Sequence, residues 1–198
     1  MMNNTIKFYF SFRSPYSWLA FSRIEKELTG LPVGLDYIPI FPPSPAGSSD
    51  RLNPPGKKSR YIIRDVSRFA EAYGMPLKFP RRFDTDWSKP HRGFLFAQRK
   101  GKGKEYGLRV YGARFSEGRD VGDHNLLGEI ALACGLDQQE FLQSMNSLRY
   151  SAQLGKCFAQ AGVHRVFGVP TFIYQRQMFW GNDRIDWLVR EVKKRSNL

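Results

Sequence analysis

The sequence predicts an α/β fold, a sheet core ordered βαβ…ββα and interrupted by a large all-helical insertion. Two observations predict it. Strand-like runs occur only near the two ends of the 198 residues, at 6–10 and 33–40 and again at 168–174 and 177–180. Between them, apolar spacing is helical or irregular throughout. A helical pattern separates the first two strands, which makes them a parallel pair. The sheet domain therefore comprises residues 1–43 and 162–198, and residues 44–161 form the inserted helical domain.

Ile6-Lys7-Phe8-Tyr9-Phe10 is an aromatic and β-branched run, hence a strand. It feeds a helix in which Trp18, Phe21, Ile24 and Leu28 recur near helical spacing until Gly30. Ser14 is the expected N-cap, with Pro15 at the first helical position. The first N–H groups of a helix have no internal partners and carry partial positive charge, so an anion is favoured beside Ser14 and Ser17. Val33-Gly34-Leu35-Asp36-Tyr37-Ile38-Pro39-Ile40 is the second strand. Pro42, Pro43, Pro45, Pro54 and Pro55 then take the chain out of the sheet in a loop.

From Arg60 the apolar positions Ile62, Val66, Phe69 and Tyr73 follow a helix that ends at Gly74-Met75-Pro76. Further helices are expected over 90–100, 104–116, 123–134, 138–148 and 151–161, with Asp123 as an N-cap. At the end of the chain, Gln175-Arg176 should form a hairpin turn, although it lacks the glycine or asparagine such turns favour. Asn182 and Asp183 are preferred N-caps for a closing helix whose inner face carries Ile185, Leu188, Val189 and Val192.

Hydrophobic content of 41% and aromatic content of 15% exclude a disordered chain. No apolar run approaches the roughly 20 residues of a membrane span. Met1-Met2-Asn3-Asn4 leads into the first strand with no signal-peptide pattern, so the expected compartment is the cytoplasm, with no membrane partner. Cys134 and Cys157 lack metal or C-x-x-C spacing, and Cys134 sits in a small-apolar helical stretch as a buried, inert thiol. His91, His124 and His164 form no zinc signature, so no metal is expected. The formal charge of +13 raises nucleic acid as a partner. Lys and Arg are spread along the chain, however, and no zinc-finger, RNP-like or helix-turn-helix signature accompanies them. The charge is better suited to steering a small anionic or aromatic substrate.

Three motifs now come together: Ser14-Pro15-Tyr16-Ser17-Trp18, Phe167-Gly168-Val169-Pro170-Thr171-Phe172 and Phe179-Trp180-Gly181-Asn182-Asp183-Arg184. The first stands where thioredoxin-like oxidoreductases carry C-P-x-C, and V-P-T-F resembles their cis-proline strand. Together, in this order, they resemble the family of 2-hydroxychromene-2-carboxylate isomerase and the kappa-class glutathione transferases, along essentially the whole chain. The resemblance implies a thioredoxin-like fold with a helical insertion and glutathione as cofactor. It implies that Ser14 hydrogen-bonds the glutathione sulfur and is catalytic. It further implies that the backbone of Val169, before a cis Pro170, holds the cysteinyl part, and that Asn182 and Asp183 bind the γ-glutamyl end. Lys58 and Asn53 match polar residues near the tripeptide. Ser11 departs from the pattern, standing where the family commonly has aspartate.

The implied activity is a glutathione-dependent isomerisation in aromatic-compound catabolism, by thiolate addition, rotation and elimination. The alternatives are a kappa-like transferase or peroxidase, and a non-catalytic thiol-binding member of the fold. The insertion should wall the substrate pocket, with Trp87 and Phe83 either lining it or belonging to the core. The oligomeric state stays open, a homodimer included.

Overall fold

Four strands form one sheet in the order β2-β1-β3-β4, with β1 (Thr5–Phe10) parallel to β2 (Gly34–Pro39). β3 (Thr171–Tyr174) runs antiparallel to β1, and β4 (Gln177–Trp180) antiparallel to β3. These assignments come from a computed structural model that describes residues 4–41, 56–80 and 85–196. The helix between the first two strands, α1 (Pro15–Glu27), supplies the crossover that a parallel pair requires. The sheet strands and their flanking helices lie in one compact unit, residues 1–40 with 155–198, and residues 41–154 form a second. The later junction falls inside α7 (Leu148–Val163).

The alternation of β1 sends its side chains to two different cores. On one side Phe8 stacks on Phe172 at 4.6 Å, and Phe21 of α1 lies 5.9 Å from Phe8 and 5.1 Å from Phe10. The closing helix α8 (Ile185–Arg195) packs against α1 and β3, burying Ile185, Leu188 and Val192. On the other side Tyr9 and Ile38 pack with Ile40, Ala161, Cys157 and Val166. Here the Tyr9 hydroxyl and Nδ1 of His164 share a hydrogen bond of 2.5 Å.

Two turns place arginine in the left-handed backbone region. After α7, Val166 N–H reaches Ala161 C=O and Arg165 N–H reaches Gly162 C=O, with Arg165 at φ 55°. That is the Schellman arrangement, in which the left-handed position is usually glycine. The β3–β4 hairpin turns through Gln175 at φ 45° and Arg176 at φ 70°, the two positive φ values its tight turn demands, without glycine. Each such residue costs about 1–2 kcal/mol relative to a relaxed backbone.

The second unit is helical: α2 (Lys57–Ala72), α3 (Ser88–Arg99), α4 (Gly103–Tyr111), α5 (His124–Ala133), α6 (Gln138–Met145) and the start of α7. The helix expected over 104–116 changes character at Gly112, where Gly112–Ser116 form one π-helical turn. Asp123 caps α5 as expected, its carboxylate accepting from Asn125 and Leu126 N–H. At Gly93 a Cβ would lie 2.5 Å from Tyr106 Oη and 2.7 Å from Phe141, so α3 approaches these side chains as only glycine permits. Trp87 is buried within this unit, with the Arg114 guanidinium 4.8 Å from its ring centre. Its carbonyl accepts from His91 Nδ1 at 2.6 Å. Of the two readings offered for Trp87, the core one describes it; Phe83 lies outside the described residues.

Candidate active site

The chain leaves β1 through Ser11, Phe12 and Arg13, and Ser14 N–H closes the turn on Ser11 C=O at 3.0 Å. Ser14 keeps extended backbone (φ −90°, ψ 117°), and its Oγ accepts from Ser17 N–H at 3.1 Å, as an N-cap should. Pro15 opens the helix with no N–H to leave unpaired. The first turn of α1 contains no acidic residue, so no carboxylate there offsets the positive end of the helix. The two hydroxyls divide in role. Ser14 is half-buried, whereas Ser17 is fully buried with its Oγ 3.5 Å from Ser11 N. Ser11 is also buried, and its Oγ accepts from Arg13 N–H at 3.4 Å.

Ser14 Oγ lies 3.4 Å from the Val169 carbonyl oxygen, although 155 residues separate them. The Val169–Pro170 peptide is cis. Among the described residues the Val169 N–H makes no hydrogen bond, which leaves a backbone donor beside the Ser14 hydroxyl. Pro170 C=O accepts from Gly181 N–H at 2.9 Å, bringing the turn after β4 alongside. Gly181 has φ 118°, and a Cβ there would lie 2.4 Å from Asp183 Oδ1, so glycine is required for the carboxylate to sit where it does.

Asn182 and Asp183 do not cap the closing helix as expected. They form a 3₁₀ turn, Asn182–Arg184, and α8 starts one residue later with Arg184 at its N-cap and no side-chain capping bond. Asp183 is half-exposed, its Oδ2 3.3 Å from the Arg184 guanidinium. Asn182 is only 2% exposed, and its Oδ1 has no hydrogen-bond partner among the described residues. An unmet buried acceptor of this kind costs about 1–3 kcal/mol.

Ser14, Val169, Pro170, Asn182 and Asp183 thus converge within one unit of the protein. Lys58 is exposed on the first turn of α2, in the other unit, and Asn53 lies outside the described residues. Two aromatic rings had no role assigned from the sequence. Phe167 and Trp180 meet at 4.8 Å, edge to face, and remain 70% and 52% exposed beside Gly168 and Val169. Their signal was their position inside the F-G-V-P and F-W-G-N motifs. Neither cysteine supplies a thiol here: Cys134 is buried in the other unit, and Cys157 packs into the core around Tyr9. Burial, reinforced by the nearby Asp36 charge, pushes the Cys157 thiol up to about 11. Among the described residues no group of three or more His, Cys, Asp or Glu could hold a metal ion. No described helix is long and apolar enough to cross a membrane.

A thioredoxin-like sheet with a capped helix facing a cis-proline, and serine rather than cysteine at both helix positions, defines the class. The chain belongs to the DSBA-like thioredoxin domain family, whose sequence pattern matches residues 5–193. Over 192 residues it is 30% identical to a 2-hydroxychromene-2-carboxylate isomerase of Sphingobium xenophagum, covering 94% of this chain and 97% of the relative. It is 27% identical over 184 residues to the protein of that name from Pseudomonas putida, covering 91% and 90%. A solved structure of a 2-hydroxychromene-2-carboxylate isomerase matches with a TM-score of 0.81 at 25% identity, over 98% of each chain.

Proposed function

We propose that this protein is a glutathione-dependent isomerase of the 2-hydroxychromene-2-carboxylate type. The observation that carries the reading is a thiol-handling scaffold without a thiol of its own. Ser14 and Ser17 stand at the head of α1, and Cys157 is held protonated in the core by burial. Thiol chemistry at Ser14 therefore requires a soluble thiol. The relatives named as isomerases support this reaction class.

The residues fit a tripeptide thiol. Ser14 Oγ can donate to a sulfur anion at the positive end of α1, where no first-turn carboxylate opposes it. The free Val169 N–H offers a backbone contact to the cysteinyl portion. The half-exposed Asp183 carboxylate suits an ammonium, and Asn182, buried behind it, shapes the turn that presents it. Bound glutathione would supply a thiolate that adds to an unsaturated aromatic keto-acid, permits rotation about the former double bond and departs unchanged. The Phe167–Trp180 pair offers an apolar surface to such a substrate.

Magnitudes show which contribution dominates. A thiol of pKa about 8.5 is only about 3% ionised at pH 7, and lowering it by about two units gives roughly 75%. Reduced nucleophilicity at the lower pKa returns most of that roughly 25-fold gain, leaving about 3-fold. Holding sulfur and electrophile together must supply the larger share. The test is a turnover assay with substoichiometric glutathione. The isomerase reading requires complete conversion with glutathione recovered intact, whereas conversion that stops when glutathione is used up identifies a transferase.

A further inference from the structure

The sheet carries a cavity that the residues of the Ser14 site do not line. α7 ends at Val163, so it covers Tyr9 and Ile38 but leaves the same sheet face open toward the start of β1. The resulting cavity, about 860 Å³, is lined by β1, the end of α7, the β3–β4 hairpin and Arg195, all within one unit. Neither Ser14, Val169, Pro170, Asn182 nor Asp183 lines it. Its volume falls within the range of about 300–1,000 Å³ typical of small-molecule sites.

The lining is cationic over an apolar floor. Lys7, Arg165 and Arg176 make no ion pair among the described residues, while Arg195 is held by Glu191 at 2.5 Å. Among the described residues no carboxylate lines the cavity; Asp36, opposite Lys7 on β2, lies close enough to feel the Lys7 charge. Ile173, Met178 and Val163 supply the apolar part. Two of the three unpaired cations, Arg165 and Arg176, occupy left-handed backbone positions where glycine or asparagine is less strained. Strain retained at a lining residue points to a role for its side chain.

We infer that this cavity binds a small organic polyanion, an apolar body bearing a phosphate or paired carboxylates, at a site separate from the Ser14 turn. Guanidinium groups suit both anions, since their paired N–H donors match two oxygens at once. Convergence of the cations into a concave space, rather than along a stripe, favours a small molecule over a nucleic acid.

The probes are 1-naphthyl phosphate, naphthalene-2,3-dicarboxylate and inorganic phosphate, titrated calorimetrically at about 0.15 M salt against the full chain. A naphthyl anion should bind, and whichever of the two binds more tightly identifies the natural anionic group. Lys7→Gln with Arg165→Gln should weaken binding at least about tenfold, the lower bound for losing a charge-assisted hydrogen bond. Ser14→Ala should bind as wild type does. Arg176→Gln, on the exposed hairpin, repeats the test should the double variant melt early. Unchanged affinity in folded variants lacking these cations overturns the proposal, as does loss of binding in Ser14→Ala alone. Inorganic phosphate binding as tightly as the naphthyl anions would overturn the apolar part.

Discussion

Replacing Ser14 separates its capping role from its proposed chemical one. Ser14→Ala removes the acceptor for Ser17 N–H, now at 3.1 Å, which should cost about 1 kcal/mol. The 3.4 Å contact to Val169 C=O is long and adds little. For a chain of this length that is a fall of about 2–4 °C in melting temperature. Ser14→Gly deletes the same hydroxyl, yet glycine caps almost as well as serine, so it should cost only a few tenths of a kcal/mol. If Ser14 Oγ donates to the sulfur anion in the transition state, both variants lose that charge-assisted bond, about 1.5–3 kcal/mol or roughly 10- to 150-fold in turnover. Glutathione affinity should change less, because Val169 and Asp183 remain. The assay follows isomerisation by absorbance with substoichiometric glutathione, alongside melting curves of all three proteins. A folded Ser14→Gly protein with wild-type turnover would refute the assignment.

Further outcomes are expected. Glutathione at 100 times its dissociation constant should stabilise the protein by about 2.7 kcal/mol, and no rise in melting temperature would remove it as cofactor. Asp183→Asn loses only a surface ion pair with Arg184, worth about 0–1 kcal/mol, but should weaken glutathione roughly 10- to 150-fold if it meets the ammonium; equal affinities by calorimetry dismiss that contact. Ser14→Cys with Ser17→Cys should yield a reducible disulfide at the head of α1, counted by thiol titration before and after mild oxidation. Burial holds the His91 imidazole at about 4, partly offset by its bond to the Trp87 carbonyl. The unfolded chain takes up this proton near pH 6.5 and the folded chain does not, so stability falls as pH drops from about 6.5 to 4, by up to about 3 kcal/mol. His91→Gln should flatten that acid limb in denaturant titrations; an unchanged slope would mean that His91 is protonated in the fold.

What could be read from the residues was whatever local chemistry decides. Asp123 was legible as a cap because an N-cap needs only its own next turn, and Ser14-Pro15 likewise. The hairpin at Gln175-Arg176 was placed correctly against its turn preference because the flanking strands decide the reversal, and the chain adopts two positive φ values to follow them. Asn182 and Asp183 misled for the opposite reason. As N-cap types they announce a helix start, but the bond from Gly181 N–H to Pro170 C=O ties this segment to another loop and delays the helix to Ile185. Ser17 looked like a partner of Ser14, yet helix rotation turns it inward. The cationic cavity was not legible, since Lys7 comes from the first strand while Arg165 and Arg176 sit in two turns near the other end of the sequence.

β1 has consequences for the birth of the molecule as well as for its chemistry. It lies between β2, which follows it closely, and β3, so one flank of the strand waits for partners such as Phe172, which pairs with Phe8 from far along the chain. At about 5–20 residues per second of synthesis, that wait lasts roughly 10–30 s. Throughout it, Phe8, Tyr9 and Phe10 have no β3 against which to close. A ribosome-bound chain stopped before residue 171 should therefore expose a sticky aromatic edge and recruit holdase chaperones, and release of the last 28 residues should end that association.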